Sequence, residues 1–204
     1  MKNNNNKLSL FVVSTLMLIS TNAYTSPYLI GQAGIYGIGT DNHYFKNLLD
    51  NEYIRLTGRV GLGYFWNASK MIKLGVETGW HFNLGIRDTF GGATFKLERR
   101  SFDALGVLDL SFANHYDLFF KAGIARVKDK VTAHNFYPST VSLSDHAMTP
   151  KIVLGAGYDL SSNVNAHVAL THELKRTNDK YLLGVVPSTS SVMAGVIYHF
   201  NSFK

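Results

Sequence analysis

Ten ionisable residues of this chain share one pattern. Arg55, Arg59, Lys73, Glu77, Asp103, Asp109, Lys121, Lys151, Asp159 and Glu173 each lie in a run whose alternate positions are mostly apolar. Side chains of a strand point to opposite faces with period two, so these charges share the face that the greasy residues avoid. Acids and bases interleave among them. If those faces enclose one space, the charges must pair, because a buried charge without a partner is costly. Counting outward from the short turns as antiparallel hairpins sets Lys151 opposite Glu173, Lys121 beside Asp109, Arg59 beside Glu77, and Glu77 beside Asp103. Such a set makes a salt-bridged plug. An ion path would instead favour a ring of one sign, and none is present.

Hydrolytic chemistry needs a nucleophile, a base and usually an orienting acid on one surface. His172 is the best candidate base, on the apolar face of its run. Its expected neighbours are Leu170 and Leu174 along the strand, with Ile152 and Val192 or Ala194 across it. None is a nucleophile or an acid, so His172 reads as an interface residue and no catalytic residue is assigned. His167 and His172 face opposite ways, which argues against a metal pair. Cysteine is absent, so neither a disulfide nor a thiolate site exists. No cofactor is implied.

The elements that carry these residues are eight alternating runs. They span Tyr28–Ile38, Ile54–Trp66, Ile72–Asn83, Glu98–Phe112, Asp117–Val127, Pro150–Leu160, Val164–Lys175 and Ser190–Phe200. The second and third are the clearest. Leu56, Val60, Leu62, Tyr64 and Trp66 share one face, and Leu74, Val76, Trp80 and Phe82 share the next. Asn67–Lys70 is the break between them. In the first run, turning Gln32 inward puts Leu29, Ala33 and Ile35 on the outer face.

Connection lengths decide what the runs build. The breaks after the second, fourth and sixth runs are short. Thr40–Glu52, Leu84–Phe95, Lys128–Thr149 and Arg176–Thr189 read as long polar loops. Strict alternation of short and long connections fits a transmembrane β-barrel, with short periplasmic turns and long extracellular loops. A soluble sandwich has no reason to sort its loops this way. Aromatic residues also gather at the run ends. Tyr64, Trp66, Phe112, Tyr158, Tyr198 and Phe200 mark the short-turn end, and Trp80, Phe82 and Phe102 the other, as two interfacial girdles would. The expected fold is an all-β, eight-stranded antiparallel barrel whose apolar faces meet lipid.

Residues 1–23 read as a secretory signal peptide. Lys2 and Lys7 precede the apolar stretch Leu8–Ile19, and Thr21-Asn22-Ala23 offers a small-residue cleavage site. Residues 24–204 would then be the barrel. The formal charge of +6 falls to +4 once the leader is removed, with 18 basic residues against 14 acidic. The basic residues read as scattered, with no stripe that would mark a nucleic-acid partner. No apolar run outside the leader is long enough for a membrane helix.

With these features the chain resembles the OmpA-like and opacity-protein-like outer-membrane barrels. The resemblance is carried by the leader, by PKIVLGAGY (Pro150–Tyr158), by LFFKAGIA (Leu118–Ala125) and by the closing VMAGVIYHF. It implies a Gram-negative outer membrane, a surface-antigen or adhesion role, and contact with outer-membrane lipids including lipopolysaccharide. It also implies recognition of the last strand by barrel assembly machinery. Alternation stops at Phe200, before Asn201-Ser202-Phe203-Lys204, where the family usually ends on an aromatic. No peptidoglycan-binding domain is expected after the barrel. Lipid A deacylases and acyltransferases share the scaffold and supply the competing class, with a narrow channel as a third. Lys128, Lys130, His134, Phe136, Tyr137 and His146 in one loop, and Arg176, Lys180 and Tyr181 in another, are the groups that would meet lipopolysaccharide or a host surface ligand.

Overall fold

Period-two alternation becomes strand throughout the wall of the molecule. The computed structural model describes residues 25–39, 55–83, 86–90, 93–112, 115–136, 139–174, 176–177, 185–186 and 188–200. The leader and the Thr40–Glu52 segment lie outside them, as do Ile54, Lys175, Lys180, Tyr181 and the last four residues. The strands are β1 (Thr25–Gly39), β2 (Arg55–Asn67), β3 (Ile72–Asn83), β4 (Ile86–Phe90), β5 (Ala93–Phe112), β6 (Tyr116–Phe136), β7 (Ser139–Asp159), β8 (Val164–Glu173), β9 (Arg176–Thr177), β10 (Val185–Val186) and β11 (Ser188–His199).

Eight of these close a barrel in the order β1-β2-β3-β5-β6-β7-β8-β11, every pair antiparallel. Closure is made by β11 against β1, from Tyr28 opposite His199 to Gly39 opposite Ser188. A closed wall satisfies the backbone without leaving an edge, which a hydrocarbon surrounding demands. Ser69 helps define the β2–β3 turn: its Oγ accepts from the backbone N–H groups of Met71 and Ile72 at 3.2 and 3.1 Å.

Burial is the reverse of a soluble domain's. Leu62 and Leu154 are 57% and 56% exposed, while Glu77 and Lys151 are 3% and 1% exposed. Gln32 is buried, and Leu29 and Ile35 face outward. Some apolar side chains do turn inward. Tyr28, Ile30, Phe65, Val107 and Ile197 form one buried cluster toward the short turns, and Leu105, Phe119, Val153 and Ala169 form another.

The long connections differ from the loops that composition suggests. Lys128–Thr149 is largely paired strand, because β6 and β7 continue far past the barrel rim, from Lys128 opposite His146 up to Phe136 opposite Ser139. Their register slips between Ala133 and Phe136. Leu84–Phe95 likewise contains β4, which folds back on β5 with Phe90 opposite Ala93. Within Arg176–Thr189, Arg176 and Thr177 pair with Val186 and Val185, and β11 begins at Ser188. These ladders escape a hydrophobic reading because their sequences lack a strict apolar alternation. Among the described residues, the side of the barrel from β5 to β7 therefore stands much taller than the other.

Candidate functional site

The lumen is filled by ion pairs that cross it. Arg59 of β2 is the hub. Its Nε and Nη2 donate to Asp103 Oδ2 and Oδ1 at 3.0 and 2.6 Å, a bidentate pair of the strong kind. Its Nη1 lies 2.7 Å from Glu77 Oε1, an ion pair without the alignment of a hydrogen bond. The other oxygen, Glu77 Oε2, accepts from Lys121 Nζ at 2.6 Å and from the Tyr28 hydroxyl at 2.7 Å. Room for the guanidinium comes from Gly79, where a Cβ would lie 2.6 Å from Arg59 Nη2.

Lys151 is the second hub. Its ammonium reaches Asp103 Oδ2 at 2.8 Å, Glu173 Oε1 at 3.2 Å and His81 Nδ1 at 3.2 Å. An ammonium only donates, so His81 Nδ1 accepts and the imidazole proton sits on Nε2. Nε2 then donates to Thr57 Oγ1 at 2.5 Å, and the Thr57 hydroxyl donates to Asn83 Oδ1 at 2.5 Å. Glu173 also accepts from Ser101 at 3.2 Å. Three carboxylates (Glu77, Asp103, Glu173) thus face three cations (Arg59, Lys121, Lys151), and the central network carries no net charge.

The sequence-derived neighbours fall out unevenly. Lys151 stands opposite Glu173 in register, and Arg59 meets Glu77. Glu77 and Asp103 are brought together by the guanidinium between them. Lys121 does not bond Asp109. The residues inward beside it on β5 are Leu105 and Val107, so its flexible stem reaches past them to Glu77 on the next strand. Asp109 instead faces Lys73 at 3.9 Å toward the short turns. There Asn165 Nδ2 donates to Asp117 Oδ2 at 2.6 Å and to Asp159 Oδ1 at 2.9 Å. Arg55 lies above the network, opposite Tyr36. Among the described residues, no three His, Asp or Glu side chains are grouped to hold a metal ion.

Several participants escape the alternation argument as applied to charged residues alone. Tyr28, His81 and Thr57 are polar members of inward faces. Gln32 Nε2 and His167 Nε2 lie 2.8 Å apart. Arg99 forms a rim pair with Asp129 at 2.7 and 2.8 Å and donates to Thr189 across the lumen. Its signal is parity with Ser101, hidden because Asp129 falls in a stretch that reads as loop.

The outer surface carries the aromatic residues. Phe112, Tyr158, Tyr198 and Phe200 are exposed at the short-turn end, with Tyr64 and Trp66 half-buried beside them. Tyr116 joins them, its ring 5.0 Å from that of Tyr158. Trp80, Phe82 and Phe102 are exposed at the other end.

His172 corrects an expectation. A nucleophile is in reach, since β11 places Ser190 directly opposite and its Oγ lies 2.9 Å from His172 Nδ1. Val192 is instead opposite Leu170. The start of β11 at Ser188 accounts for the difference of two residues. The outward neighbours of the pair are Ile152, Leu170, Leu174 and Val192, and no carboxylate among the described residues bonds the ring. Higher up, outside the girdles, Lys96 Nζ approaches Glu98 Oε1 at 2.5 Å, and that hydrogen bond holds the Glu98 carboxyl below the ordinary glutamate range.

No protein-family model matches the chain, and no curated protein does. Solved structures do. Neisserial surface protein A aligns with a TM-score of 0.58 at 15% identity, over 86% of this chain and 99% of that one. Ail, the attachment invasion locus protein of Yersinia pestis, aligns with a TM-score of 0.55 at 13% identity, over 87% and 99%. A major outer membrane protein from Thermus thermophilus aligns with a TM-score of 0.55 at 11% identity, over 86% and 99%. This chain has the fold of the small eight-stranded outer-membrane β-barrels.

Proposed function

We propose that this chain is a surface-exposed barrel of a Gram-negative outer membrane, with a structural or adhesion role and no enzymatic or conducting activity. One observation carries the reading. Side chains from diametrically opposite strands meet inside the barrel: His81 of β3 lies 3.9 Å from Glu173 of β8, and Arg99 of β5 bonds Thr189 of β11. A lumen bridged wall to wall, with a central network that carries no net charge, offers no bore and no single-sign field for ions. Function then belongs to the exterior, above all to the tall β5–β7 wall, since exposed segments on a rigid scaffold are where binding residues gather.

Ail is described as an attachment invasion locus protein, and one of its structures holds the heparin analogue sucrose octasulfate. That supports an adhesion reading of the projecting hairpins. The proposed partners are outer-membrane lipids including lipopolysaccharide, a host surface ligand, and assembly machinery acting on β11. Among the described residues, the Ser190–His172 contact is the feature that favours a lipid-modifying enzyme. Its apolar surroundings favour an interfacial hydrogen bond instead.

The test exchanges the β6–β7 tip, residues 132–144, for a short turn. The shortened protein should keep the gel shift between heated and unheated samples that marks a closed barrel. Cells displaying it should adhere less to host cells than cells displaying the native chain. Equal adhesion by both, with the native protein verified at the surface, refutes the adhesion role. Stepwise single-channel currents from the folded protein refute the closed lumen.

A further inference from the structure

Beyond the rim, β6 turns a row of cations outward. Arg126, Lys128 and Lys130 alternate on its outer face and are all exposed. Alternate residues of a strand stand about 7 Å apart, so the row is a compact basic stripe. Its neighbours add to it. Arg100 of β5 lies directly opposite Lys128, and His146 of β7 lies directly opposite on the other side. The basic residues are therefore not scattered, as composition suggests, and the stripe is visible only once Lys128–Thr149 is seen as strand.

Like charges set directly across a ladder destabilise it. A free surface would be relieved by acids, yet Glu98 is the one carboxylate described on this outward face; it lies directly opposite Lys130 and beside Arg100, but its hydrogen bond is to Lys96. Among the described residues no carboxylate makes an ion pair with Arg100, Arg126, Lys128 or Lys130. Asp129 lies between Lys128 and Lys130 in sequence but turns inward to Arg99. One carboxylate among Lys96, Arg100, Arg126, Lys128 and Lys130 leaves most of the repulsion for something outside the chain to offset.

The position of the stripe identifies that partner. Arg126 is flanked in register by Phe102 of β5 and Met148 of β7, both exposed, and Phe102 in turn by Trp80 of β3. The cations begin where the outward greasy band ends, on the same face. A ligand lying there has apolar chains beside Trp80 and Phe102 and anionic groups at the height of Arg126 to Lys130. We infer that this flank is a binding site for the phosphate groups of an outer-leaflet glycolipid, held against β5, β6 and β7. The site deepens the outer-membrane reading and depends on it, so insertion is measured separately.

The experiment uses the full mature chain folded into phosphatidylcholine nanodiscs, with Trp66→Phe leaving Trp80 as the reporter beside the site. Closure is verified by the gel shift between heated and unheated samples. The probes are dansyl-labelled lipid A bearing both phosphates and the same lipid dephosphorylated. The phosphorylated probe should be enriched around Trp80, seen as greater energy transfer. High salt should erase the difference, because exposed charges are screened. Replacing Arg126, Lys128 and Lys130 with Ala should lower the enrichment about fivefold or more, since one Lys or Arg near an anionic surface is worth roughly that factor. Replacing them with Gln preserves side-chain bulk and should do the same, which covers failure of the Ala variant to fold. Equal transfer from the two probes in a verified barrel overturns the site, as does enrichment that survives loss of the three cations. Sucrose octasulfate bound at the stripe without glycolipid enrichment overturns the lipid assignment. A chain that never shows the closed-barrel band overturns the membrane reading instead.

Discussion

The guanidinium of Arg59 occupies the space that a side chain at Gly79 would fill. A Cβ there would stand 2.6 Å from Nη2 and 2.8 Å from Cζ. The end of an arginine usually swings aside, but this one is tied on one edge to Asp103 and on another to Glu77. Gly79→Ala should therefore destabilise the barrel by about 1–3 kcal/mol, as overpacking of a fixed core does. Urea unfolding in lipid vesicles, followed by tryptophan fluorescence, measures it. Gly37→Ala is the control, because nothing lies within 4 Å of its Cβ position.

Glu77→Ala leaves Lys121, Arg59 and the Tyr28 hydroxyl facing a void. Removing one partner of a buried ion pair costs about 3–5 kcal/mol, and the loss should fall at the upper end because two cations share this carboxylate. The heat-induced gel shift should move to a markedly lower temperature. Planar-bilayer recordings should stay silent, since Arg59–Asp103 and the Lys151 contacts still cross the lumen. Currents appearing on this substitution would mean that the network gates a path.

Ser190→Ala and His172→Ala remove an exposed hydrogen bond on the barrel flank. Surface changes of this kind usually fall within about 0.5 kcal/mol. Cells carrying either variant should have the same lipid A mass spectrum as cells with the native chain and as cells with none. A mass difference that disappears with Ser190→Ala would identify an esterase.

The Lys96–Glu98 pair gives a pH signature. Lys96 holds the Glu98 carboxyl below its usual range, so any stability it contributes is present at neutral pH and lost as pH falls through that lowered value. The pair stands in water, and its contribution should be too small to see in unfolding. Carboxyl NMR of Glu98 should read it directly, with Lys96→Ala moving the midpoint upward.

The facing of Glu77, Lys121 and Lys151 is legible in the sequence because period two is a local property, and Val76, Ala122 and Ile152 beside them declare the lipid side. The partners are less legible. Lys121 bonds Glu77 two strands away, and a linear count has no term for distance across a lumen. The tall wall is hidden for another reason. Lys128, Lys130 and Thr132 alternate with Asp129, Val131 and Ala133, so one face is polar and the other opens on a charge, and the pattern lacks greasy contrast. His172 shows how a register slip of two residues conceals a contact. The run holding Ser190 begins earlier than its apolar residues suggest, and a count from those residues puts Val192 where Ser190 stands.

The lumen contacts also set an order of assembly. Arg59–Asp103, Lys121–Glu77 and Lys151–Asp103 each skip one strand, while Arg99–Thr189 joins opposite walls and His81 comes within 3.9 Å of Glu173 across the lumen. None of the wall-to-wall contacts can form in an open, half-built sheet. Until β11 docks on β1, those groups keep their hydration shells, and water must leave the interior late. Contacts so distant along the chain make for slow folding. Completion of the ring and drying of its inside should therefore be one concerted event, reported by Arg99 and Thr189 coming together.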